Sequence, residues 1–326
     1  MYKNGIFDWT YKMKPVLDLQ ILIATKDRTS NIENLLASIN NSTCLPKRVV
    51  IVYAGNKIDG VVKKFENFLP IKLIYSVVAS QVKQKQIGIK LLDKDCKWVL
   101  FLDDDVVLEE FTLENLFRKY LQNDSLYEYS GFGLALRGYK KRKINFFLKI
   151  FLLIFQIYSF KPGSLLISGH PQIYLDQKAN CQVCWLNGIS VWRLDTIHLY
   201  NSNLAYLPYS AYEDVIFSYQ VSKNSKLMFL ADIFVDSQNQ VNFNKLNKNQ
   251  FIYGAFLRYY FVASNLEFSK FWLLISQIAR SVEYIALGLD EISVLRRIGC
   301  AQKVWFTLFL ATLKKKDGLA LIKTKL

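Results

Sequence analysis

Residues 97–105 have the sequence Lys-Trp-Val-Leu-Phe-Leu-Asp-Asp-Asp, a short apolar run that ends in three consecutive aspartates. The run predicts a buried β-strand. Side chains two positions apart on a strand point to the same side, so Asp103 and Asp105 are expected to converge on one point. An unpaired carboxylate in apolar surroundings is costly, and two convergent carboxylates suit Mg²⁺ or Mn²⁺. A solvated acidic turn is the alternative interpretation of the triplet alone.

Upstream of this strand, the sequence alternates between strand and helix patterns. Strand patterns occupy residues 19–25, 48–53 and 72–77, and helix patterns occupy residues 31–39, 61–68 and 80–92, the last with Ser80 as its cap. This alternation predicts an α/β fold with a mostly parallel sheet covered by helices. Ligands of such sheets bind at the carboxyl ends of the strands. Thr25, Asp27 and Arg28 follow the first strand, so they are expected to share one crevice with the aspartates.

Four further motifs follow in order within residues 17–240. They are Lys85-Gln86-Ile87-Gly88, Trp185-Leu186-Asn187-Gly188, Val191-Trp192-Arg193 and Tyr212-Glu213-Asp214-Val215. With residues 25–28 and the Asp-x-Asp of 103–105, this ordered set resembles glycosyltransferase family 2. The resemblance implies a GT-A fold, a Rossmann-like mixed sheet flanked by helices. It also implies inverting transfer from a nucleotide diphosphate sugar, with Mg²⁺ or Mn²⁺ as cofactor.

The family resemblance implies a role for each motif. It implies that the nucleotide sugar is bound by Thr25, Asp27, Arg28, Lys85, Asp103 and Asp104, the metal by Asp105 and Asp103, and the acceptor by Trp185, Asn187 and Gly188. It implies that Asp214 is the general base and that Glu213 orients the acceptor or a neighbouring cation. Without the family, the same residues are compatible with a loop ion pair, a solvated helix lysine, a β-bulge and acidic charges at a helix N-terminus.

The sequence departs from the family pattern in two places. Residues 53–56 after the second strand lack the acidic residue that usually contacts the nucleotide base. No histidine follows the Glu-Asp pair as a further metal ligand, and Asp236 and Ser237 stand nearest to that place. The base and the third metal ligand are therefore left open.

The composition constrains the partners of the protein. The 326 residues carry a formal net charge of +15, which calls for an anionic partner or surface, and 15% of them are aromatic. A mean hydropathy of +0.12 favours a membrane surface over nucleic acid, for which no motif is present. The N-terminal residues lack an apolar signal segment, no stretch is long enough to span a bilayer, and the five cysteines form no secreted framework. These features predict a cytoplasmic protein, peripheral at the inner face of the plasma membrane.

Two segments are predicted to meet the membrane. Residues 137–143 contain five basic residues and precede an apolar stretch, so residues 137–162 are predicted to form a basic, amphipathic insertion in a GT-A domain of residues 1–245. Residues 246–326 interleave aromatic and basic residues, which predicts amphipathic C-terminal helices that associate with the membrane. The alternatives are a core helix for the first segment, and for the second a helical hairpin packed on the catalytic domain or on a second subunit.

Together these features predict a metal-dependent inverting glycosyltransferase of bacterial surface polysaccharide assembly. Its acceptor is expected to be a glycan or a polyprenyl-phosphate-linked glycan at an anionic membrane surface. A nucleotidyltransferase of related fold is one alternative, although residues 25–30 contain none of the glycines that a phosphate-binding loop requires. A membrane-associated scaffold without activity is another.

Overall fold

The computed structural model describes residues 14–139, 145–200, 202–204, 207, 212–238, 248–287, 293–316, 318 and 321. In this part of the chain, nine strands form one mixed sheet in the order β3-β2-β1-β4-β8-β6-β9-β5, with β7 paired to β9. The strands are β1 (Val16–Lys26), β2 (Leu45–Ala54), β3 (Ile71–Tyr75), β4 (Trp98–Asp103), β5 (Val106–Leu108), β6 (Tyr129–Arg137), β7 (Cys181–Val183), β8 (Ser190–Arg193) and β9 (Lys226–Ser237).

The first four strands are parallel, whereas β8 pairs antiparallel with β4. Their runs of β-branched and aromatic residues are buried on both faces, as expected for parallel strands between two helical layers. In the register of β1 and β4, Ala24 lies beside Asp103, so the two strands end at the same edge of the sheet. The predicted α/β fold is confirmed, and it places the aspartates next to residues 25–28.

Helices cover both faces of the sheet. They are α1 (Thr29–Asn41), α2 (Asp59–Val62), α3 (Gln81–Ile89), α4 (Thr112–Leu116), α5 (Phe146–Ile154), α6 (Glu213–Ser222), α7 (Lys248–Ser264), α8 (Lys270–Leu287) and α9 (Val294–Leu313). Ile21 and Ile23 of β1 pack with α1, α2 and α4, while Leu22 between them packs on the opposite face with α3, α6 and the C-terminal helices. The period of two along the strand therefore produces the two layers.

Several helix boundaries differ from the sequence prediction. Ser80 caps α3 as predicted, because its side chain accepts a hydrogen bond from the Lys83 backbone N–H. The helix predicted for residues 61–68 begins earlier, and α2 gives way to turns after Val62. The helix predicted within residues 144–160 ends at Ile154, and Gln156 has a positive φ of 52°, which is incompatible with a continuing right-handed helix.

The C-terminal helices α7, α8 and α9 pack on the central sheet and share one apolar core with it. Phe251 of α7 stacks on Tyr284 of α8 with ring centroids 4.4 Å apart, and Phe261 of α7 contacts Tyr212 beside α6. This packing agrees with the alternative of helices packed on the preceding domain, and the membrane association of the tail stays a prediction. Within the described residues, no helix has both the length and the apolar character needed to cross a membrane.

Candidate active site

A cavity of about 720 Å³ opens at the carboxyl end of β4. Asp103, Asp105 and Asp214 line it together, although the last is more than a hundred positions away in the sequence. The predicted acceptor residues Asn187 and Gly188 lie in its wall. The fold therefore brings the strand-end carboxylates, the start of α6 and the loop before β8 to one place.

Asp104 turns away from the cavity and anchors the first strand. It is 6% exposed, and its carboxylate accepts hydrogen bonds from Thr25 Oγ1 at 2.6 Å and from Arg28 Nη1 at 2.7 Å. Burial raises the pKa of Asp104 more than these two contacts lower it. Asp104 therefore holds Arg28 in position, and the half-exposed guanidinium of Arg28 can face a ligand. The predicted nucleotide contacts of Thr25 and Asp104 stay predictions.

Asp27 also uses its side chain to shape the edge of the sheet. Its Oδ1 accepts a hydrogen bond from the backbone N–H of Asn56 at 2.8 Å, which ties the end of β1 to the end of β2. Asp27 has a positive φ of 55°, and a Cβ at Gly55 would clash with its carboxylate. Position 55 therefore has no room for a side chain. Gly55 belongs to residues 53–56, the segment in which the family usually carries an acidic residue. The predicted nucleotide contact of the exposed Asp27 stays a prediction.

Asp103 and Asp105 point to the same cavity, as expected of positions i and i+2. Asp103 is packed so tightly that a Cβ at Gly188 would lie 2.8 Å from its Oδ2. Burial, opposed by Lys85, and the neighbouring carboxylates raise the pKa of Asp103 to about 6. The elevated pKa of Asp103 shows that nearby positive charge balances neither its burial nor the repulsion between the carboxylates. Carboxylate oxygens are the ligands that Mg²⁺ and Mn²⁺ prefer, so a divalent cation fits this place.

The described residues contain no group of three or more His, Cys, Asp or Glu side chains arranged to hold a metal ion. Two protein carboxylates are nevertheless a usual number for Mg²⁺, which keeps waters and substrate phosphate oxygens as its other ligands. Of the two residues considered for a third ligand, Asp236 pairs with Arg137 Nε at 3.2 Å, whereas Ser237 lines the cavity. This difference follows from the alternation of side chains along β9.

Lys85 forms a buried ion pair with Glu213, with 2.7 Å between Nζ and Oε1. The two side chains are 3% and 7% exposed. Burial lowers the pKa of Lys85, but the carboxylates of Glu213 and Asp103 outweigh it, so the pKa lies above its ordinary value. The Lys85 ammonium is thus the counter-charge of the Glu213 carboxylate. The predicted phosphate contact of Lys85 and the predicted orienting role of Glu213 stay predictions.

This ion pair predicts a large effect on stability. Lys85→Met should lower the free energy of unfolding by about 3–5 kcal/mol, because it leaves the Glu213 carboxylate buried without a counter-charge. The double variant Lys85→Met with Glu213→Gln should recover part of the loss, and Lys90→Met at the exposed end of the same helix is the control. Urea unfolding monitored by circular dichroism measures all four proteins. A single variant as stable as the control would show that the pair is unimportant.

Asp214 lies in the first turn of α6 and lines the cavity. Its Oδ1 accepts a hydrogen bond from the backbone N–H of Val215 at 2.8 Å. Burial and the adjacent charge of Glu213 raise the pKa of Asp214 to about 7. A carboxylate with a pKa near neutrality is suited to accept a proton from a bound hydroxyl group, which is the chemistry predicted for this residue.

The acceptor-side residues occupy the loop before β8, not a strand. Trp185 is only 6% exposed, its Nε1 donates to the Gln172 carbonyl at 3.1 Å, and its ring packs edge-to-face on Tyr174. Trp185 lies in the cavity wall with little of its surface exposed, and its predicted acceptor contact stays a prediction. The backbone N–H of Asn187 is held by the Tyr174 hydroxyl at 2.8 Å, which fixes the loop beside Gly188.

The structure adds site residues that sequence reasoning missed. His170 from the segment before β7, and Arg280 and Glu283 from α8, line the cavity. Gln238 lies at the end of β9, where its side-chain amide donates to the carbonyl oxygens of Asn31, Asp104 and Val106. Only the three-residue spacing of Arg280 and Glu283 on one helix was visible in the sequence, and that spacing alone does not indicate a site.

Part of the sequence is similar to a known protein family. Residues 20–169 match the family model described as "Glycosyl transferase family 2". The resemblance to glycosyltransferase family 2 is confirmed. The matched residues include the strand ends that carry Arg28 and the Asp-x-Asp of residues 103–105, whereas Asp214 and the C-terminal helices lie beyond them. No curated protein matches the chain in sequence.

Solved structures extend the likeness over most of the chain. S. aureus TarS, residues 1–349, is 15% identical with a TM-score of 0.51, and the match covers 92% of this chain and 88% of the TarS chain. The mannosyltransferase PcManGT from Pyrobaculum calidifontis, solved in complex with GDP-Man and Mn²⁺, is 12% identical with a TM-score of 0.48 over 94% of this chain and 86% of the other. The TarS match shows a common fold, so the predicted GT-A architecture is confirmed.

Proposed function

We propose that the protein is an inverting glycosyltransferase that moves a sugar from a nucleotide diphosphate sugar to an acceptor hydroxyl group. The observation that carries this proposal is the shared cavity of Asp103, Asp105 and Asp214. Asp103 and Asp105 are suitable ligands for a metal ion that binds the diphosphate of a sugar donor. Asp214 is a suitable base, since its pKa lies near neutrality. The family match supports the same activity.

Each of the residues at this site has a separate role in the proposed reaction. Asp103 and Asp105 would hold Mg²⁺ or Mn²⁺, which when bound neutralises charge on the diphosphate leaving group. The Arg28 guanidinium, fixed by Asp104, lies beside them and contacts the sugar donor. Asp214 accepts the proton of the acceptor hydroxyl group as the new bond forms. Attack from the face opposite the leaving group then inverts the configuration at the anomeric carbon.

The proposed activity is tested by donor binding and donor cleavage. We expect at least one nucleotide diphosphate sugar, from a panel with different bases and sugars, to raise the melting temperature in the presence of Mn²⁺. The same compound should slowly release nucleoside diphosphate even without acceptor. Arg28→Gln should weaken both effects. If no nucleotide sugar binds, or if a nucleoside triphosphate is cleaved to pyrophosphate instead, the protein is not a glycosyltransferase.

We further propose that the enzyme works on an anionic membrane surface, where it glycosylates a polyprenyl-phosphate-linked or other glycan acceptor of bacterial surface polysaccharide assembly. Helix α5 supports this location, because Phe146 and Phe147 are 70% and 81% exposed. Phe160, which lines the cavity, is also exposed. Exposed aromatic side chains of this kind suit the headgroup region. The basic run of residues 140–143 lies outside the described residues; its charge would add to the attraction.

This location predicts a membrane-binding defect. Replacing Phe146 and Phe147 together by Ser should weaken binding to anionic liposomes by at least about tenfold, since each buried Phe contributes about 1.5–3 kcal/mol. Phe68→Ser, at an exposed aromatic residue after α2, is the matched control. Co-sedimentation at low and high salt measures both variants. A wild-type protein that ignores anionic liposomes at low salt would contradict the proposed location.

A further inference from the structure

The wall of the cavity contributed by α8 and the segment before β7 contains basic residues, in contrast to the part lined by Asp103, Asp105 and Asp214. His170 and Arg280 line this wall, and Arg258 of α7 lies behind His170. Neither the predicted chemistry at Asp214 nor the proposed metal site uses these three residues. They form what we call the basic cluster: His170, Arg258 and Arg280.

Arg258 is buried without a carboxylate. It is 4% exposed, and no Asp or Glu of the described residues lies within salt-bridge distance. Its Nη1 contacts His170 Nδ1 at 3.1 Å, its Nη2 donates to Gln277 Oε1 at 2.6 Å, and its Nε has no hydrogen-bond partner within the described part of the chain. Burial and the nearby Arg280 lower its pKa to about 10, so it still carries its charge at neutral pH. A buried guanidinium without a counter-charge lowers the stability of the folded protein, and binding of an anion would relieve this.

The contact with Arg258 determines which nitrogen of His170 carries hydrogen. A guanidinium only donates, so His170 Nδ1 must accept the hydrogen bond. Burial and the neighbouring Arg258 lower the pKa of His170 well below its ordinary value, so the ring is neutral and its hydrogen lies on Nε2. The ring lines the cavity and thus supplies an N–H donor to it.

Arg280 adds a second guanidinium at the cavity surface. Its Nη1 pairs with Glu283 one turn further along α8, and both side chains are about a quarter exposed. Within the described part of the chain, Glu283 pairs with Arg280 and not with Arg258, so it does not neutralise the buried guanidinium of Arg258. Guanidinium groups and a neutral imidazole N–H are the donors that bind oxyanions in proteins.

We propose that the basic cluster is a subsite for an oxyanion, a phosphate or carboxylate group carried by the acceptor. The description of the ligand as acceptor rests on the proposed transferase function, because the sugar donor is assigned to the carboxylate-lined part of the same cavity. The acceptor would then place its hydroxyl group near Asp214 and its anionic group against Arg280 and His170. The substrate class is an acidic glycan or a glycan phosphate, and neutral glycans would bind poorly.

Inorganic phosphate probes the subsite without any transfer reaction. We expect phosphate, in the presence of EDTA, to raise the melting temperature of the full chain above its value in chloride at equal ionic strength. Arg280→Gln should weaken phosphate binding by at least about tenfold, since a charge-assisted hydrogen bond is lost. Arg280→Lys should retain part of the binding. Acetate in place of phosphate tells whether a carboxylate is accepted.

Arg118→Gln is the matched control, because it removes an exposed guanidinium that does not line the cavity. It should leave phosphate binding unchanged, whereas Arg280→Gln should weaken phosphate binding and leave binding of UDP with Mn²⁺ unchanged. Glycerol phosphate in solution and phosphatidic acid in detergent micelles, compared in the same variants, distinguish a soluble from a lipid-linked source. Equal stabilisation of every variant by phosphate would reveal a general salt effect and overturn the proposal. So would a loss of UDP binding in Arg280→Gln, which would assign the cluster to the sugar donor.

Discussion

Asp214→Asn is expected to lower kcat by about 10²–10⁴-fold, the contribution of a positioned general base. The change preserves the size of the side chain and the oxygen that accepts the hydrogen bond from the Val215 backbone N–H. It removes only the ability to take up a proton. Binding of the sugar donor should change little, because Asp103, Asp105 and Arg28 are untouched. Asp124→Asn, at an exposed turn, is the control for a neutralised aspartate.

The pH dependence gives this prediction a second measurement. A general base acts in its deprotonated form, and the pKa of Asp214 is raised to about 7, so kcat of the wild type should rise with pH, reach half of its plateau at about pH 7 and level off above it. The Asn variant should lose this limb. The anomeric configuration of the product, followed by proton NMR, should be inverted. A retained configuration, or an Asn variant as fast as wild type, would remove Asp214 from the role.

Asp105→Ala is expected to reduce transfer by at least about 10³-fold, since loss of metal-ion charge stabilisation costs several kcal/mol. The fold should survive, because Asp105 is 26% exposed and its salt bridge to Arg28 is long, at 3.6 Å. Isothermal titration with Mn²⁺ supplies a readout that is independent of activity: the wild type should bind the ion in the presence of UDP, and the variant should not.

Chelation of the wild-type enzyme should reproduce the effect of this substitution. Asp124→Ala should bind Mn²⁺ and transfer sugar normally, because its side chain lies at a distant exposed turn. Full transfer activity in excess EDTA would contradict a requirement for the metal. Normal Mn²⁺ binding by Asp105→Ala would instead move the metal away from this carboxylate.

Local patterns predicted the parts of the molecule that depend on neighbours in sequence. The apolar run before Asp103 identifies β4, because a strand buried on both faces needs apolar residues throughout. The period of two predicted that Asp103 and Asp105 would face one side. The helix start at Glu213 was also predictable, since acidic residues favour the first turn of a helix.

Contacts between distant segments were not predictable from these patterns. The partner of Lys85 lies 128 positions away, and a lysine on a short helix gives no sign of burial. Arg258 and Arg280 belong to helices whose aromatic and basic residues predicted a membrane surface, yet one face of these helices packs on the catalytic domain. The composition of a helix shows that it contains charged and aromatic side chains. Which of these side chains line a cavity depends on tertiary packing, which the local sequence does not reveal.

The side chain of Gln238 has a consequence for how this enzyme can change during evolution. Its amide joins the start of α1, the aspartate loop and the first residue of β5 through three backbone carbonyls. Replacement of Gln238 would therefore loosen the aspartate loop without touching any predicted ligand-binding side chain. Variants selected for altered donor preference are expected to accumulate at this position, because small shifts of the loop change the fit of a sugar more gently than a new side chain inside the cavity.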